Sequence, residues 1–236
     1  MIKSKAWDWS KNEDDSWLIP SIESCYLANS WASKGFHRFL DLGCGLGRHS
    51  IFFAENGFRV NSVDLSEYGI NHLNNWAKKE ELDIETQVCD MLELPFENDT
   101  FDCVIAYNVI YHSDTKGFIK ALDEIKRVLK SKGELFITLI SKNTWSYQHA
   151  DNYKRIDDNT ILRDEHETEK DVPHFYVDIE DIKKYFVDFD FIDVPIEQTK
   201  YCLENSKYYS RHFNIIARKK IDYPIMERRN YETYRK

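Results

Sequence analysis

The sequence predicts an α/β fold in which helices cover both faces of a mainly parallel sheet. Short apolar segments alternate with segments whose apolar residues recur every three or four positions, which is the pattern of strands separated by amphipathic helices. Parallel strands joined in this way form right-handed βαβ units. The length of 236 residues suits one large domain of this class, and a hydrophobic fraction of 42% is sufficient for its core.

The alternating elements lie before residue 141. Strands are predicted at Phe36–Leu42, Phe58–Asp64, Ile84–Cys89, Phe101–Tyr107 and Glu134–Ile140. Helices are predicted at Arg48–Asn56, Glu67–Glu80 and Thr115–Leu129, with a further helix at Ser21–Ser33 before the first strand. Phe101–Tyr107 is nearly all apolar, as expected of a strand covered on both faces. Thr115–Leu129 carries one apolar stripe that begins at Phe118, and Gly133 follows its end.

The pattern changes after Ser141. Lys142–Pro173 is polar and has no sustained period, which is typical of a long functional or mobile loop. A helix is predicted at Asp178–Val187, followed by strands at Phe189–Glu197 and His212–Arg218. Because no long helix separates these two strands, they are expected to form an antiparallel pair at the edge of the sheet.

Composition limits the classes of partner. The formal net charge of −9 argues against a general nucleic-acid binder, which needs a basic surface. No apolar run approaches the ~20 residues of a membrane span, and Met1–Ser10 lacks the apolar stretch of a secretory signal. The five cysteines form no close pair, so neither a zinc ribbon nor a disulfide scaffold is expected, and a cytoplasmic location is predicted.

A glycine-rich turn follows the first strand, with the sequence DLGCGLGR at positions 41–48. Glycines between a strand and a helix let the backbone approach a ligand closely. The spacing differs from the G-x-G-x-x-G dinucleotide fingerprint, because Arg48 and Ser50 stand where its third glycine would fall. Asp41 would repel a pyrophosphate and attract an ammonium group, so the turn favours a ligand with a cationic amino-acid end.

Two more carboxylates follow the next strands. Asp64 ends the second strand and is placed to accept hydrogen bonds from two ribose hydroxyls; the alternative is that it caps the helix near Ser66. Asp90 follows the third strand and is placed to accept from an adenine amino group, with Met91 against the ring; the alternative is a carboxylate that faces water. Open α/β sheets bind their ligands at this carboxyl edge.

Together these motifs resemble those of the class I S-adenosylmethionine-dependent methyltransferases. The matching residues are Asp41–Arg48, Val63–Ser66, Cys89–Met91 with Leu94–Phe96, Phe101–Val104 and Gly133–Leu135. The resemblance is close over residues 36–140 and looser at Arg211–Lys219. It implies a Rossmann-like three-layer sandwich with a mostly parallel, seven-stranded sheet whose last strand is antiparallel.

The resemblance also implies S-adenosylmethionine as the cofactor. Its methionine end would lie against Asp41, Gly43, Gly45 and Asn108, its ribose against Asp64, and its adenine against Asp90 and Met91, with Cys44 as a small filler and Leu65 beside it. The chain then divides into a lid segment (1–35), a cofactor-binding core (36–140), a substrate-side insertion (141–175), a completion of the sheet (176–219) and a tail (220–236).

The acceptor is expected above the same edge of the sheet. His112 is a candidate general base, because an imidazole titrates near neutral pH; the alternative is that it packs or caps the helix near Thr115. Arg48 either meets an anionic substrate or the carboxylate of the cofactor, or pairs on the surface. Further candidate substrate contacts are Tyr111, Trp17, Tyr26, His149, His174 and Tyr209. The irregular spacing of His149, His166 and His174 does not predict a metal site.

The predicted function is methyl transfer from S-adenosylmethionine to a small-molecule acceptor by in-line displacement. Nucleic acid is disfavoured as acceptor by the acidic composition, and no membrane partner is expected. Two alternatives remain: a cofactor-binding regulator without transfer activity, and a nicotinamide-dependent dehydrogenase, which Asp41 and Arg48 argue against. The sequence predicts neither the acceptor nor the oligomeric state.

Overall fold

The computed structural model describes residues 5–12, 14–163, 172–203 and 205–221. The α-helices are Glu23–Ser33 (α1), Arg48–Glu55 (α2), Glu67–Lys79 (α3), Thr115–Val128 (α4), Trp145–Gln148 (α5) and Ile179–Tyr185 (α6). The strands are Arg38–Leu42 (β1), Arg59–Asp64 (β2), Ile84–Val88 (β3), Phe101–Ala106 (β4), Leu129–Ser141 (β5), Lys154–Asp157 (β6), Thr160–Arg163 (β7), Val172–Val177 (β8), Phe189–Phe191 (β9), Ile196–Tyr201 (β10) and Tyr209–Lys219 (β11). Single 3-10 turns lie at Trp9–Lys11, Asp15–Leu18 and Ala150–Asn152. His166 and nearly all of the predicted tail, 220–236, lie outside the described residues.

The central sheet confirms the predicted fold class. Its parallel part has the order β3-β2-β1-β4-β5, and β11 joins the outer edge of β5 in the antiparallel sense. The order reverses at β1, so β1 and β4 are neighbours although two strands separate them along the chain. An open α/β sheet leaves a crevice at this switch point, beyond the carboxyl ends of its strands.

Local sequence signals start the helices. The Ser66 hydroxyl accepts from the backbone N–H of Gly69 and begins α3, and the Asp114 carboxylate accepts from that of Gly117 and begins α4. Asp178 and Asp181 form a reciprocal capping box at α6. The predicted apolar stripe of α4 is buried, with Phe118 and Ile125 both fully enclosed. Helix α2 begins directly at the glycine turn, after Gly47 with φ 99°.

The insertion is more regular than predicted. Residues 142–173 were expected to form a loop without regular structure. They contain α5 and the strands β6 and β7, and they lead into β8. The three strands pair in sequence as an antiparallel meander. β8 then pairs in parallel with the last two residues of β5, next to the point where β4 has already ended. The strands are too short to show a period in the sequence, and their pairing depends on this vacant edge of β5.

The predicted strand Phe189–Glu197 is wrong in its continuity. The structure divides it into β9 and β10, and both pair with β11. Pro195 lies between them, and proline has no N–H to donate to a neighbouring strand. With this break and the meander, the described residues contain eleven strands rather than the predicted seven.

Two apolar layers hold the sheet. On one side Trp31 of α1 packs with Phe39 and Phe53, and all three rings are fully buried. On the other side Phe118 of α4 stacks on Phe175 of β8 with ring centres 4.2 Å apart. This second contact fixes the insertion to the core and brings β8 over the carboxyl edge of the sheet.

Candidate active site

A large cavity of about 870 Å³ lies at the carboxyl edge of the parallel strands. Its walls come from the glycine turn, from the residues that follow β2, β3 and β4, from the N-terminal segment, from the insertion and from the start of β11. The volume is in the range of natural small-molecule sites. Residues distant in sequence therefore meet here because the ends of parallel strands share one edge.

The glycine turn requires backbone conformations that other residues rarely adopt. Gly43 and Gly45 have φ of 70° and 55°. A Cβ atom on Gly45 would lie 2.5 Å from the ring of Trp9, so the turn and the N-terminal segment are in direct contact. The amides of Gly43 and Cys44 donate to the Val63 carbonyl at 2.8 and 3.0 Å and fasten the turn to β2.

Asp64 lies on the cavity wall beside this turn. Its Oδ2 accepts from the amide of Gly45 at 2.8 Å, and its Oδ1 accepts from that of Ser66 at 2.7 Å. The pKa of Asp64 lies above its ordinary value, because the effect of burial exceeds the opposite effect of these backbone N–H groups. The cap of α3 is Ser66 itself, so Asp64 orients the turn and retains acceptor capacity, since a carboxylate accepts about four hydrogen bonds.

Asp90 and Met91 lie on the same wall, next to Leu65. One oxygen of Asp90 accepts from the amide of Leu92 at 3.0 Å, which orients the carboxylate and leaves its second oxygen for another donor. The thiol of Cys44 also borders the cavity, and burial raises its pKa well above the ordinary value. It therefore stays protonated, in keeping with a filler and not a nucleophile.

Asp41 is the predicted cofactor residue that the structure does not place on the cavity wall. It is 1% exposed, and its Oδ2 accepts from the Ser50 hydroxyl at 2.6 Å, which in turn accepts from that of Ser62. Burial raises its pKa to about 6. Asp41 therefore does not line the cavity, and its predicted contact with the methionine end of the cofactor stays a prediction.

Asn108 begins the loop after β4 in a left-handed conformation with φ 56°, which asparagine tolerates better than most residues. Thr138 of β5 holds it there. The backbone N–H of Asn108 donates to the Thr138 hydroxyl, and this hydroxyl donates to the side-chain Oδ1 of Asn108, both at 2.8 Å. Asn108 thus lines the cavity in a fixed orientation.

Arg48 connects α2 to the N-terminal segment. Its guanidinium lies between the rings of Trp17 and Tyr107, 4.9 and 5.0 Å from their centres. Its Nη1 donates to the carbonyl oxygens of Ser16 and Ile19 at 3.3 and 3.2 Å. Of the two alternatives for Arg48, these contacts argue against a surface ion pair: Arg48 lines the cavity and holds the N-terminal segment, and its contact with a ligand stays a prediction.

A cluster of three imidazoles lies beyond the end of β4. His112 is 4.9 Å from His174 between ring centres, and Tyr111 is 5.8 Å from His212 and 4.6 Å from His112. Burial, followed by the charge of Arg163, lowers the pKa of His112 to about 3. Burial, followed by Lys200, lowers that of His212 to about 4, and burial lowers that of His174 well below its usual value. All three rings are therefore neutral at pH 7.

The structure brings most predicted substrate contacts together but excludes two. Trp17, Tyr111, His174 and Tyr209 line the cavity with His112. Tyr26 does not, because it lies on the outer face of α1 and is 59% exposed, whereas Leu27 and Trp31 face inward. His149 is also outside: it is exposed and stacks on Trp145 with ring centres 4.4 Å apart.

Sequence reasoning missed His212, Arg163 and Lys200, which also line the cavity. One signal for His212 was available. An antiparallel strand begins at the edge where its parallel neighbours end, so the first residues of the predicted last strand belong at the carboxyl edge. For Arg163 there was no signal, because its place depends on the meander.

The described residues contain neither a metal-ion cluster nor a membrane-spanning helix. No group of three histidine, cysteine or acidic side chains in them is arranged to hold a metal ion. None of their helices combines the length and the apolar composition that crossing a membrane requires.

The strands and turns that build the cavity floor match a known family. Residues 39–133 match a family model described as a methyltransferase domain. These residues form a methyltransferase domain. The family that the motifs predicted is thereby confirmed for residues 39–133.

Curated relatives match mainly over the same part of the chain. An uncharacterized protein of Methanocaldococcus jannaschii is 35% identical over 123 residues, 52% of this chain and 49% of the relative. The sterol 24-C-methyltransferase of Schizosaccharomyces pombe is 36% identical over 112 residues, 46% of this chain and 29% of the relative. The human probable tRNA methyltransferase 9B is 34% identical over 99 residues, 41% of this chain and 20% of the relative. The chain spans about half the length of the first relative and less than a third of the others.

Solved structures extend the likeness of fold beyond the methyltransferase domain. A SAM-dependent methyltransferase of Methanosarcina mazei superposes with a TM-score of 0.66 at 20% identity, over 78% of this chain and 93% of that one. The 1,6-didemethyltoxoflavin-N1-methyltransferase of Burkholderia thailandensis, solved with its substrate and S-adenosylhomocysteine, superposes with a TM-score of 0.61 at 20% identity, over 88% and 80% of the two chains. At this identity the likeness concerns the fold.

Proposed function

We propose that the protein transfers a methyl group from S-adenosylmethionine to a small-molecule acceptor by in-line displacement. One observation carries the proposal: the open backbone at Gly43 and Gly45 and the carboxylates of Asp64 and Asp90 form one wall of a cavity whose other walls leave room for a second molecule. The hydroxyl and amino groups of a nucleoside are hydrogen-bond donors, which the two carboxylates can accept. An extended amino-acid tail fits against the glycine turn, because the backbone is open there.

The residues of the wall fit this cofactor. Asp64 and Asp90 each keep acceptor capacity beyond their backbone hydrogen bonds, for ribose hydroxyls and an adenine amino group respectively. Leu65 and Met91 offer apolar contacts to the base, and Gly43, Cys44 and Asn108 border the space left for the methionine end. When bound, the cofactor supplies a methyl carbon on a positively charged sulfur, which an acceptor atom attacks.

The chain contributes orientation, exclusion of water and a place for a proton. Trp7, Trp9 and Trp17 cover the glycine turn and keep water from the cavity. His112 lines the cavity and is neutral at pH 7, because burial lowers its pKa to about 3. A pKa of about 3 makes it a weak base, so we propose that it orients the acceptor and takes a proton only from an acidic group.

Two considerations favour a small molecule as acceptor. The N-terminal segment and the insertion border the cavity, and the chain has a net charge of −9, which does not suit an RNA backbone. The sterol methyltransferase among the relatives acts on a small molecule, whereas the tRNA methyltransferase matches over a smaller share of the chain. The five free cysteines agree with the cytoplasmic location proposed from the sequence.

Calorimetry tests the proposal directly. The full chain is titrated with S-adenosylmethionine, S-adenosylhomocysteine and NAD. We expect binding of the first two and none of NAD; binding of NAD alone would support a dehydrogenase. Consumption of S-adenosylmethionine in the presence of metabolite pools then separates an enzyme from a regulator that only binds.

A further inference from the structure

The first two residues of α2 carry hydrogen-bond donors that the protein itself leaves unused. Arg48 and His49 follow the glycine turn directly, and both line the cavity. The guanidinium carbon of Arg48 lies 5.0 Å from the centre of the Tyr107 ring, and the centre of the His49 ring lies 5.1 Å from it. Adjacent helix residues normally diverge, but here one tyrosine ring borders both side chains. The two groups therefore belong to one corner of the cavity.

Arg48 keeps one edge of its guanidinium unoccupied. Its Nη1 donates to the carbonyl oxygens of Ser16 and Ile19, whereas its Nε and Nη2 donate to none of the described residues. Neither Nε nor Nη2 is enclosed, and the residue lines the cavity. This edge carries two parallel N–H groups, which is the geometry that binds both oxygens of a carboxylate.

The charge of Arg48 has no ion-pair partner in the described part of the chain. Asp41 attracts it, but Asp41 is buried and its Oδ2 accepts from the Ser50 hydroxyl. Asp64 and Asp90, which form the nucleoside side of the cavity, shift the pKa of neither Arg48 nor its neighbour on α2. A half-buried charge without a paired counter-charge is stabilised when an anion enters the cavity beside it.

His49 adds a donor of known tautomer. The residue is 3% exposed, and its Nε2 accepts from the backbone N–H of Ser21 at 3.2 Å. Burial, aided by the charge of Arg48, lowers the pKa of His49 to about 3, so the ring is neutral at pH 7. Since Nε2 accepts, the single ring proton is on Nδ1. Nδ1 donates to no residue that the structure describes and is not enclosed, so it faces the cavity that the ring lines.

The glycine turn offers few donors of its own to a ligand. The turn amides that already donate within the protein are those of Gly43, Cys44, Gly45 and Gly47. An anionic group beside the turn must therefore find donors on side chains. The side chains of Arg48 and His49 come next along the chain.

We propose that Arg48 and His49 form a carboxylate-binding subsite, in which one carboxylate accepts from the Nε–Nη2 edge of Arg48 and from Nδ1 of His49. The carboxylate belongs either to the amino-acid end of the cofactor or to the acceptor. The subsite follows from the donors of this chain, and it rests on the proposed function only for the naming of these two sources.

Propionate and the neutral propionamide test the subsite in the full chain. Both are titrated at constant ionic strength, and binding is followed by saturation-transfer NMR and by tryptophan emission. Hydrogen bonds between charged groups are stronger than those to a neutral amide, so we expect propionate to bind at least about tenfold more tightly. Equal affinities, or no binding of propionate, would overturn the proposal.

Variants of the two residues locate the binding. Arg48→Lys keeps the charge but loses the fork, and we expect the propionate affinity to fall at least about fivefold. His49→Phe removes the Nδ1 donor and should lower it at least about threefold. His49→Gln keeps an acceptor for Ser21 and a donor for the ligand, so its affinity should stay within about twofold of the wild type.

The matched controls are Arg155→Lys and His37→Phe, which lie outside the cavity and should leave the propionate affinity unchanged. A wild-type affinity in Arg48→Lys and in a folded His49→Phe would place propionate elsewhere and overturn the subsite. If His49→Phe does not fold, Arg48→Lys and His49→Gln still decide the outcome.

Two ligands separate the sources of the carboxylate. S-adenosylhomocysteine has the amino-acid end, and 5′-methylthioadenosine lacks it. If the cofactor supplies the carboxylate, the first should displace propionate and the second should not, and His49→Phe should weaken only the first, at least about threefold. If the acceptor supplies it, propionate should bind equally well to the protein saturated with S-adenosylhomocysteine. Displacement of propionate by 5′-methylthioadenosine would place it under the nucleoside and overturn the proposal.

The two proposals fail separately. Binding of S-adenosylhomocysteine without a preference for propionate over propionamide overturns only the subsite. A preference for propionate in a protein that does not bind S-adenosylhomocysteine overturns the proposed function and leaves a carboxylate site at Arg48 and His49.

Discussion

The guanidinium carbon of Arg48 lies 4.9 Å from the centre of the Trp17 ring. Arg48 is the first residue of α2 and is fixed by the glycine turn, whereas Trp17 belongs to the segment that covers the cavity. The same guanidinium donates to two carbonyl oxygens of that segment, at Ser16 and Ile19. One side chain thus links the floor of the proposed cofactor site to its cover.

Removing this link should loosen the cover. In Arg48→Gln we expect the tryptophan emission to shift to the red, and the affinity for S-adenosylhomocysteine to fall about threefold to tenfold, because two hydrogen bonds and the cation–π contacts are lost. Arg48→Lys keeps the charge but not the planar guanidinium. Its affinity and its emission should therefore lie between those of the wild type and of Arg48→Gln. Arg155→Gln removes a similar contact, 5.5 Å from the Tyr147 ring and outside the cavity. If it produced the same effects, Arg48 would have no special role.

The contact of Gly45 with Trp9 can be tested in the same way. Gly45→Ala places a methyl group 2.5 Å from the Trp9 ring, so we expect a changed tryptophan spectrum and a loss of S-adenosylhomocysteine affinity of at least about tenfold. Gly57 also has a positive φ, 82°, but no atom within 4 Å of an added Cβ. Gly57→Ala should therefore cost about 1 kcal/mol of stability from backbone strain alone, with unchanged binding. Unchanged binding in Gly45→Ala would contradict this geometry.

Asp64 should dominate recognition of the nucleoside. We expect Asp64→Ala to weaken S-adenosylhomocysteine binding by at least about 1.5 kcal/mol, roughly tenfold, because a charge-assisted pair of hydrogen bonds is lost. Asp64→Asn keeps one acceptor oxygen and should lose less. Thermal unfolding of both variants separates this effect from the loss of the bonds to Gly45 and Ser66. Asp83→Asn, an exposed carboxylate next to β3, is the control. Full affinity in Asp64→Ala would refute the assignment.

Stability should fall as the solution becomes mildly acidic. Burial, aided by Arg48, lowers the pKa of His49 to about 3, and His112 and His212 are lowered to about 3 and about 4. In the unfolded chain histidine titrates near 6.5, so below that pH the unfolded state binds more protons. Each histidine then removes up to about 1.4 kcal/mol per pH unit between about 6.5 and its folded pKa.

Asp41 acts in the opposite sense but cannot compensate. Its folded pKa is raised to about 6, so its protonation favours the folded state as the pH falls through that value. One carboxyl opposes several histidines. Urea unfolding at pH 7.5, 6.5 and 5.5 measures the slope, and His49→Gln should reduce it while keeping an acceptor for the Ser21 amide. A free energy of unfolding that is constant over this range would contradict the prediction.

Much of the core was predictable from residue order. The strands from Arg38 to Ser141 and the helices between them lie within a few residues of the predicted bounds, except that β5 is longer. The glycine turn, Asp64 and Asp90 could be placed together because parallel strands end at one edge. The burial of Asp41 in a hydrogen-bonded network with Ser50 and Ser62 could not be predicted, since it depends on contacts between β1, α2 and β2.

The sequence by itself determined the α/β class, the turn and the carboxylates of the proposed nucleoside side, because these depend on local periodicity and on short motifs. Only the tertiary structure decided that Arg48 holds the N-terminal segment, that β6, β7 and β8 form a meander, and that His112, His174 and His212 converge. These features depend on contacts between residues far apart in the chain. Such contacts are stabilised by burial and pairing that exist only once the sheet has formed, and they leave no period in the sequence.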